Sequence, residues 1–300
     1  VKLNIKLNDF DKLWNKKIEK YYVTRATNGT VTIDTTKSNT DNFNSIDTVG
    51  ERYTGITIIW ENDEEENVIT NVTGATTLTV SGTFSTTKTG NIFIILDKPD
   101  KTYQLKDFRI FCDYVYLDTA ERKYFAQSQH NYLIEQVQYN GINDYEFGTE
   151  TVKIPLEFNH PCKEIIWVNQ LKISKLLNQS NNFTDNVAFS TVSQNNSIVD
   201  SVILLNGQER FRTRNADYFR LLVPYQRHTR TPDKMIYVYC FALNPEQNQP
   251  SGSCNFSRLD NSELVINLKK TLLSSHIKVY ATNYNILRVI NGMGGLAYSN

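Results

Sequence analysis

The sequence lacks an excess of charge of either sign, and this absence narrows the range of functions. Lysine and arginine number 32, aspartate and glutamate also number 32, and the formal net charge is zero. Proteins that hold nucleic acid or an anionic membrane through their overall field carry a surplus of positive charge. The balance therefore argues against direct nucleic-acid binding, although it leaves room for a local basic patch.

Long apolar runs and motif glycines are also missing. No apolar stretch approaches the ~20 residues that a helix needs to span a bilayer, so we predict no transmembrane segment. No glycine pattern of the dinucleotide-binding or P-loop kind occurs in the chain. The sequence thus carries no mark of a nucleotide-dependent enzyme.

Cysteine is scarce, and Cys112, Cys162, Cys240 and Cys254 follow no metal-binding spacing. They form no CxxC pair and no framework like that of a small disulfide-rich domain. Three of them lie within or beside apolar runs, where a free cysteine packs as a small hydrophobe. We therefore predict reduced structural thiols, as expected of a protein that folds in the cytosol.

Candidate catalytic and metal sites are weak. The histidines do not pair at metal-ligand spacing; they are His130, His160, His228 and His276. Cys254, His276 and Asp260 could be assembled into a triad, but no nucleophile elbow or oxyanion loop supports it. Glu157 and Glu164 could pair in a glycosidase cleft, which the sequence does not test. We predict no catalytic residue, no metal, no cofactor and no enzyme activity.

The chain is rich in residue types that favour β-strands, with 17 tyrosines, 15 phenylalanines and 40% hydrophobic residues. From Thr151 to the end, turns rich in Asn, Gly, Pro and Ser separate eight strand-like runs. Eight short strands with almost no helix predict one complete jelly roll. The runs are 153–158, 164–170, 187–192, 201–205, 218–223, 235–243, 263–268 and 277–290.

Residues 22–106 differ in composition from the rest. Thr, Asn, Gly and Ser dominate, interrupted by apolar bursts at 56–60, 77–80 and 92–96. A structureless stretch of this length is uncommon in a compact domain, so we predict a β-rich insertion with its own core. The acidic run 61–66 lacks the ligand pattern of a calcium loop and predicts a solvated turn.

The segment after the insertion carries three signals. Phe108–Leu117 is apolar on both faces and predicts a strand covered on both sides. Asp118, with Glu121 three residues later, predicts the start of a short helix that runs to about residue 129. The composition of residues 140–150 predicts a linker.

The densest basic stretch contains six arginines: Arg210, Arg212, Arg214, Arg220, Arg227 and Arg230. The first three share one face of an extended segment. A nucleic-acid surface needs a wider basic area and exposed stacking aromatics. We therefore favour a solvated strand edge or loop whose arginines pair with carboxylates of a neighbouring subunit.

Glycan-acceptor sequons occur at Asn28, Asn71, Asn178, Asn182, Asn195 and Asn255. Such tripeptides arise readily by chance in an Asn-rich chain. They would carry surface glycans only if the chain enters the secretory pathway.

The segment 241–261, FALNPEQNQPSGSCNFSRLDN, combines a strand exit with a turn bracketed by proline. Proline presets the backbone and glycine relieves it, which predicts a rigid corner. As a string, the segment resembles the signature stretch of the major capsid protein of nucleocytoplasmic large DNA viruses, such as phycodnaviruses, mimivirus relatives and iridoviruses. Further segments resemble that family in the same order: 1–14, 116–122, 125–127, 132–136, 158–161, 166–167 and 283–300.

The resemblance implies an all-β double jelly roll. Residues 1–139 would be the C-terminal part of a first jelly roll that carries the insertion at about 22–106. Residues 140–150 would link it to a complete second jelly roll at 151–300.

The resemblance also implies a function. The chain would be a structural major capsid protein whose trimers form pseudo-hexagonal capsomers that tile an icosahedral shell. Its partners would be two further copies, neighbouring capsomers and minor capsid proteins. It would reside in the virion after assembly in the host cytoplasm.

Two alternatives remain open. A carbohydrate-binding β-sandwich would recognise a host glycan through the insertion, with Trp60 and nearby tyrosines as its surface. A glycoside hydrolase would depend on paired carboxylates.

The first residues bear on completeness. Val1–Leu7 alternates like a half-buried strand, while the apolar residues from Phe10 to Tyr21 have spacings closer to a helical turn. Val1–Leu7 and Phe108–Leu117 supply too few strands for a second sandwich. We therefore expect the native protein to extend upstream of Val1.

Overall fold

The computed structural model describes ten stretches of the chain: 17–26, 28–33, 57–60, 66–72, 77–81, 88–96, 109–185, 196–270, 273–291 and 293–298. They fall into two compact units. The first holds the described residues of 17–96 together with 171–182, and the second holds 109–170, 183–185 and the described residues of 196–298. The predicted strands at 1–7 and 187–192 and most of the acidic run lie outside these stretches.

Six antiparallel strands of the first unit close into a barrel in the order β1-β2-β5-β4-β3-β6. They are β1 (Lys17–Arg25), β2 (Thr30–Ile33), β3 (Thr57–Trp60), β4 (Glu66–Val72), β5 (Thr77–Val80) and β6 (Lys88–Leu96). The barrel closes because β6 pairs with β1 over nine residues. Its fully buried core contains Val23, Val31, Ile58, Ile69, Leu78 and Ile92.

The barrel confirms the strands predicted at the three apolar bursts and corrects one neighbouring expectation. Ile18 and Tyr21 lie in β1 and not in a helical turn. The pairing partner decides this, because β1 matches β6 residue by residue and a helix would leave that edge of the barrel open.

The second unit contains two sheets built mostly from antiparallel pairs. Its strands are β7 (His130–Tyr145), β8 (Thr151–Pro155), β9 (Pro161–Leu171), β10 (Ile198–Leu205), β11 (Gln208–Glu209), β12 (Arg214–Asn215), β13 (Ile236–Cys240), β14 (Cys254–Asn255), β15 (Ser262–Leu268), β16 (Ser275–Ile290) and β17 (Met293–Leu296). One sheet runs β11-β10-β15-β8, with β12 also on β10. The other runs β13-β9-β16-β17, with β14 on β9 and β7 on β16.

The strongest core of this unit is aromatic. Trp167, Tyr237 and Phe219 are fully buried, and the Trp167 ring lies 5.1 Å from Phe219 and 6.1 Å from Tyr237. Buried aromatic rings contribute both a large apolar area and preferred ring geometry. Burial also raises the pKa of Cys162 to about 12, so this cysteine is a protonated structural thiol at neutral pH.

Six of the eight runs predicted between residues 151 and 300 correspond to strands: β8, β9, β10, β13, β15 and β16. The run at 218–223 does not. Tyr218–Leu222 forms a π-helical turn that continues into helix α3 (Val223–Arg227), because Pro224 fits the first turn of a helix and cannot donate to a sheet.

The short helix predicted after Asp118 is present. Helix α1 spans Thr119–Gln127, and its N-cap Asp118 accepts a 2.8 Å hydrogen bond from the Glu121 backbone N–H. A second short helix, α2, covers Lys172–Leu176. In the part of the chain that the structure describes, no helix has the length and apolar character to cross a membrane.

The strand predicted at 108–117 is wrong for its described part. Residues 109–118 form no strand, and Phe111 and Tyr116 are 89% and 91% exposed. A strand requires a hydrogen-bonding partner, and no described strand pairs with this segment.

The predicted linker also differs from the structure, since residues 140–145 lie in β7 and pair with β16. The rest of the predicted domain division stays a prediction.

The corner at 244–252 is held by hydrogen bonds between side chains and its backbone. The Lys163 ammonium donates to the Pro245 carbonyl at 2.6 Å, and the Ser251 hydroxyl accepts from the Asn244 N–H at 2.8 Å. Gly252 has a φ of 135°, a conformation that favours glycine.

Candidate functional site: an exposed strand face and a histidine cluster

Strand β7 lies at the edge of its sheet and leaves much apolar surface uncovered. It pairs with β16 on one side, and no described strand pairs with its other side. Five apolar side chains of β7 are exposed, and we call them the β7 surface: Tyr132, Leu133, Val137, Tyr139 and Ile142.

A long unpaired edge with apolar side chains is a template for association with another chain or domain. Val137 is the most exposed member of the β7 surface, at 68%. The exposed residues of 110–116 add a second apolar area: Ile110, Phe111, Tyr114, Val115 and Tyr116. Both areas have the character of surfaces that pack against a partner.

A second candidate site lies where β9, β13 and the end of α3 meet. Glu164 and Cys240 are directly opposed on β9 and β13, so their side chains share one face of the sheet. His228, the residue after α3, places its Nε2 atom 3.3 Å from Glu164 Oε2 and 3.4 Å from Cys240 Sγ. We call Glu164, His228 and Cys240 the histidine cluster.

Neighbouring groups hold the histidine cluster in place. Glu246 Oε1 lies 3.2 Å from His228 Nδ1, and Glu246 Oε2 accepts from the Thr229 N–H at 3.1 Å. The Thr282 hydroxyl donates to Glu164 Oε1 at 3.0 Å. Glu164 Oε2 is buried and accepts no hydrogen bond, so its close polar neighbour is the His228 ring.

The electrostatics of the cluster follow from these contacts. Burial, reinforced by the negative charge of Glu164, raises the pKa of Cys240 to about 12. The hydrogen bonds from Thr229 lower the pKa of Glu246, with a smaller contribution from His228. The cluster therefore places a largely buried thiol beside the Glu164 side chain.

The sequence does not predict this cluster. Its members are separated by 64 and 12 positions and occupy three different elements, so no local spacing marks them. Only the register of β9 against β13 and the turn after α3 bring them together.

The catalytic combination considered from sequence does not assemble. His276 Nδ1 contacts Asp144, the Asp260 N–H donates to Asn206, and Cys254 lies opposite Cys162. No hydrogen bond or ion pair among the described residues joins the three members of that triad.

The other carboxylate candidates separate in the same way. Glu157 lines a shallow groove of about 450 Å³ that also contains Asp260, whereas Glu164 is not part of its wall. The pairing of Glu157 with Glu164 that a glycosidase cleft would need is therefore not seen.

The arginine stretch is exposed at Arg210, Arg212 and Arg214. Within the chain, Arg214 lies over the Tyr218 ring at 5.6 Å and Arg220 approaches Asp217 at 3.7 Å. Pairing with carboxylates of a neighbouring subunit stays a prediction.

Comparison with known families identifies the chain. Residues 121–295 match the family described as the large eukaryotic DNA virus major capsid protein. The chain belongs to this family. The match includes β7, the histidine cluster and the corner at 244–252, so each of them is part of the family's region.

Individual capsid proteins agree with this assignment. The chain is 37% identical over 276 residues to the major capsid protein of Phaeocystis pouchetii virus, covering 64% of this chain and 53% of the relative. It is 41% identical over 215 residues to that of Pyramimonas orientalis virus, covering 64% and 48%. It is 36% identical over 235 residues to that of Paramecium bursaria Chlorella virus 1, covering 64% and 54%. The chain thus spans about half the length of these relatives.

Solved structures show the fold. The PBCV-1 VP54 crystal structure fitted into a reconstruction of the virophage Sputnik matches with a TM-score of 0.53 at 20% identity, over 99% of both chains. The quasi-atomic model of the PBCV-1 virus capsid gives a TM-score of 0.53 at 21% identity over the same shares. The all-β, double jelly-roll class predicted from the sequence is confirmed.

Proposed function

We propose that the chain is part of a structural subunit that forms trimeric, pseudo-hexagonal capsomers of an icosahedral virus shell. Membership of the capsid family supports this proposal. The observation on which it chiefly rests is the exposed apolar β7 surface. A structural subunit works through the surfaces that it buries on assembly, and those surfaces are apolar and exposed in the isolated chain.

The proposed role needs no catalysis. The partners would be two further copies in the trimer, neighbouring capsomers and minor capsid proteins. The subunit would reside in the virion after assembly in the host cytoplasm, for which the four unpaired cysteines give support.

Carbohydrate recognition by the barrel has less support, because Trp60 is buried and cannot stack on a sugar. Glycans attached to the chain itself would need exposed sequons. Asn28 is exposed, but Asn182 is buried, so Asn182 is a poor acceptor.

The oligomeric state tests the proposal. We expect the purified chain to self-associate, and Val137→Asp to shift it to monomers, because a charge in a desolvated contact is costly. Light scattering after size-exclusion chromatography measures the mass. The matched control is Val199→Asp, a 44% exposed valine on β10 in the other sheet, which should leave the mass unchanged.

Two outcomes would contradict the proposal. One is a wild-type chain that stays monomeric at all concentrations. The other is a Val137→Asp variant with the same mass distribution as the wild type, which would show that the β7 surface is not part of the interface.

A further inference from the structure

We propose that Glu164, His228 and Cys240 form a zinc-binding site on the face of the β9–β13 pair that carries Glu164 and Cys240. Thiolate, imidazole and carboxylate are the three ligand types that zinc takes in proteins. The site would supply three protein ligands and leave the fourth position to water. This proposal is independent of capsid assembly.

The spacing of the ligand atoms fits a single ion. Zinc bonds of about 2.0–2.3 Å in tetrahedral geometry place two ligand atoms roughly 3.3–3.7 Å apart. Nε2 of His228 lies 3.3 Å from the Glu164 oxygen and 3.4 Å from the Cys240 sulfur. All three ligand atoms lie within 4.8 Å of one another, so a small rotation of the Glu164 or Cys240 side chain closes the site.

Two backbone features fix the ligands. Cys240 and Glu164 sit opposite each other in a paired register. The backbone N–H of His228 donates to the Pro224 carbonyl at 2.8 Å, which holds the turn after α3 over the sheet. The site is therefore largely formed before an ion enters.

The surrounding hydrogen bonds have the pattern found behind metal-binding histidines. A carboxylate on one ring nitrogen directs the other nitrogen toward the metal, and Glu246 occupies this position at Nδ1. Thr282 engages one oxygen of Glu164, while the other oxygen, buried and without a hydrogen bond, faces the ring. Apart from the contact with His228, this buried oxygen is therefore available to a metal ion.

The charged groups around the site are of both signs. Glu164 and Glu246 bring two carboxyl groups to it, and the nearby cations Arg227 and Lys163 also act on the Cys240 thiol, but both bond to other groups. Lys163 pairs with Glu135 and donates to the Pro245 carbonyl, and Arg227 donates to the Leu243 carbonyl. On binding, the Cys240 thiol releases its proton to solvent and the ion holds the thiolate.

Without metal, the same contacts place the His228 ring between the side chains of Glu164 and Glu246. The two states differ in the role of sulfur, because only a metal engages Cys240. The experiment therefore has to report on the thiol.

Zinc chloride titrated into the chelator-treated full chain should show one bound equivalent by calorimetry. Cobalt in place of zinc should give the sulfur-to-cobalt charge-transfer absorption of a thiolate ligand. Cys240→Ser should abolish that absorption, and Cys240→Ser and His228→Gln should each weaken zinc binding by more than tenfold. Glu246→Gln should weaken it by about 10–100-fold, as loss of a partner behind the ligand does.

Cys254→Ser and His276→Gln are matched controls, since Cys254 is a half-buried thiol on the same sheet and His276 also contacts a carboxylate. Both should bind zinc like the wild type. Glu164→Gln, which keeps an oxygen for Thr282, tests the site if the other variants fold poorly. The proposal is overturned if the wild type binds no zinc, if cobalt shows no thiolate absorption, or if the cluster variants bind as tightly as the controls.

Discussion

Single residues in this chain contribute most to stability where the backbone conformation or the core packing allows no other side chain. Gly252 is one such position, because a Cβ there would stand 3.0 Å from the Phe241 carbonyl oxygen while φ is 135°. Both the contact and the dihedral disfavour any other residue. The corner at 244–252 is therefore specified by its backbone.

Gly252→Ala should lower the free energy of unfolding by about 1–3 kcal/mol, the usual range for a residue forced into a sparsely populated conformation. Urea denaturation of the full chain measures this change. Gly295→Ala is the control, because a Cβ there meets nothing within 4 Å. Equal midpoints for the two variants would mean that the corner relaxes without cost.

At the scale of single residues, the sequence predicts those features that depend on neighbouring residues in the chain. Asp118 and Glu121 predict a helix start because a capping carboxylate acts within one turn. The structure contains the capping hydrogen bond from the Glu121 N–H to Asp118. His228 gives no such signal, since its partners Cys240 and Glu164 arrive through strand pairing. Rules based on neighbouring residues do not predict contacts that form only in the tertiary fold.

At the scale of elements, the turn at 218–227 shows why a strand-like composition misleads. Tyr218, Phe219, Leu221 and Leu222 suit a strand, yet the segment is helical. Its buried ring Phe219 packs against Trp167 at 5.1 Å and Phe211 at 5.5 Å, and Val223 and Pro224 are buried in the next turn. One aromatic anchor on a helical turn replaces the alternating face that a strand would need.

Phe219→Ala should therefore destabilise the chain by about 3–5 kcal/mol, as expected for a large buried aromatic that leaves a cavity. Leu221→Ala, in the same turn but exposed, should change stability by less than about 0.5 kcal/mol. Chemical denaturation followed by far-UV circular dichroism measures this change. A small effect of Phe219→Ala would mean that the turn does not anchor the sheet.

The opposite difference is found at 109–117, where a strong strand composition forms no strand. A strand belongs to a pair, and the sequence of one segment does not reveal whether a partner exists. Strand β16 was predicted well because its long apolar run meets β7 along nearly its whole length.

At the scale of the whole molecule, the first and last strands of the barrel lie side by side. They pair with each other, and Lys17 lies directly opposite Leu96. Such opposed residues are about 4.5–5.5 Å apart and can be joined by a two-residue turn. The chain thus leaves and returns at nearly the same point.

Replacing residues 18–95 by a short Gly/Ser linker should consequently leave the second unit folded and its oligomeric state unchanged. Circular dichroism, thermal unfolding and light scattering measure these properties. The control deletes only 57–96, which removes β3 to β6 and leaves β1 and β2 with open edges and exposed core valines such as Val23 and Val31. Open edges and apolar patches promote aggregation, so the half-barrel should aggregate while the full excision stays dispersed. Aggregation of both variants would show that the barrel supports the fold of the second unit.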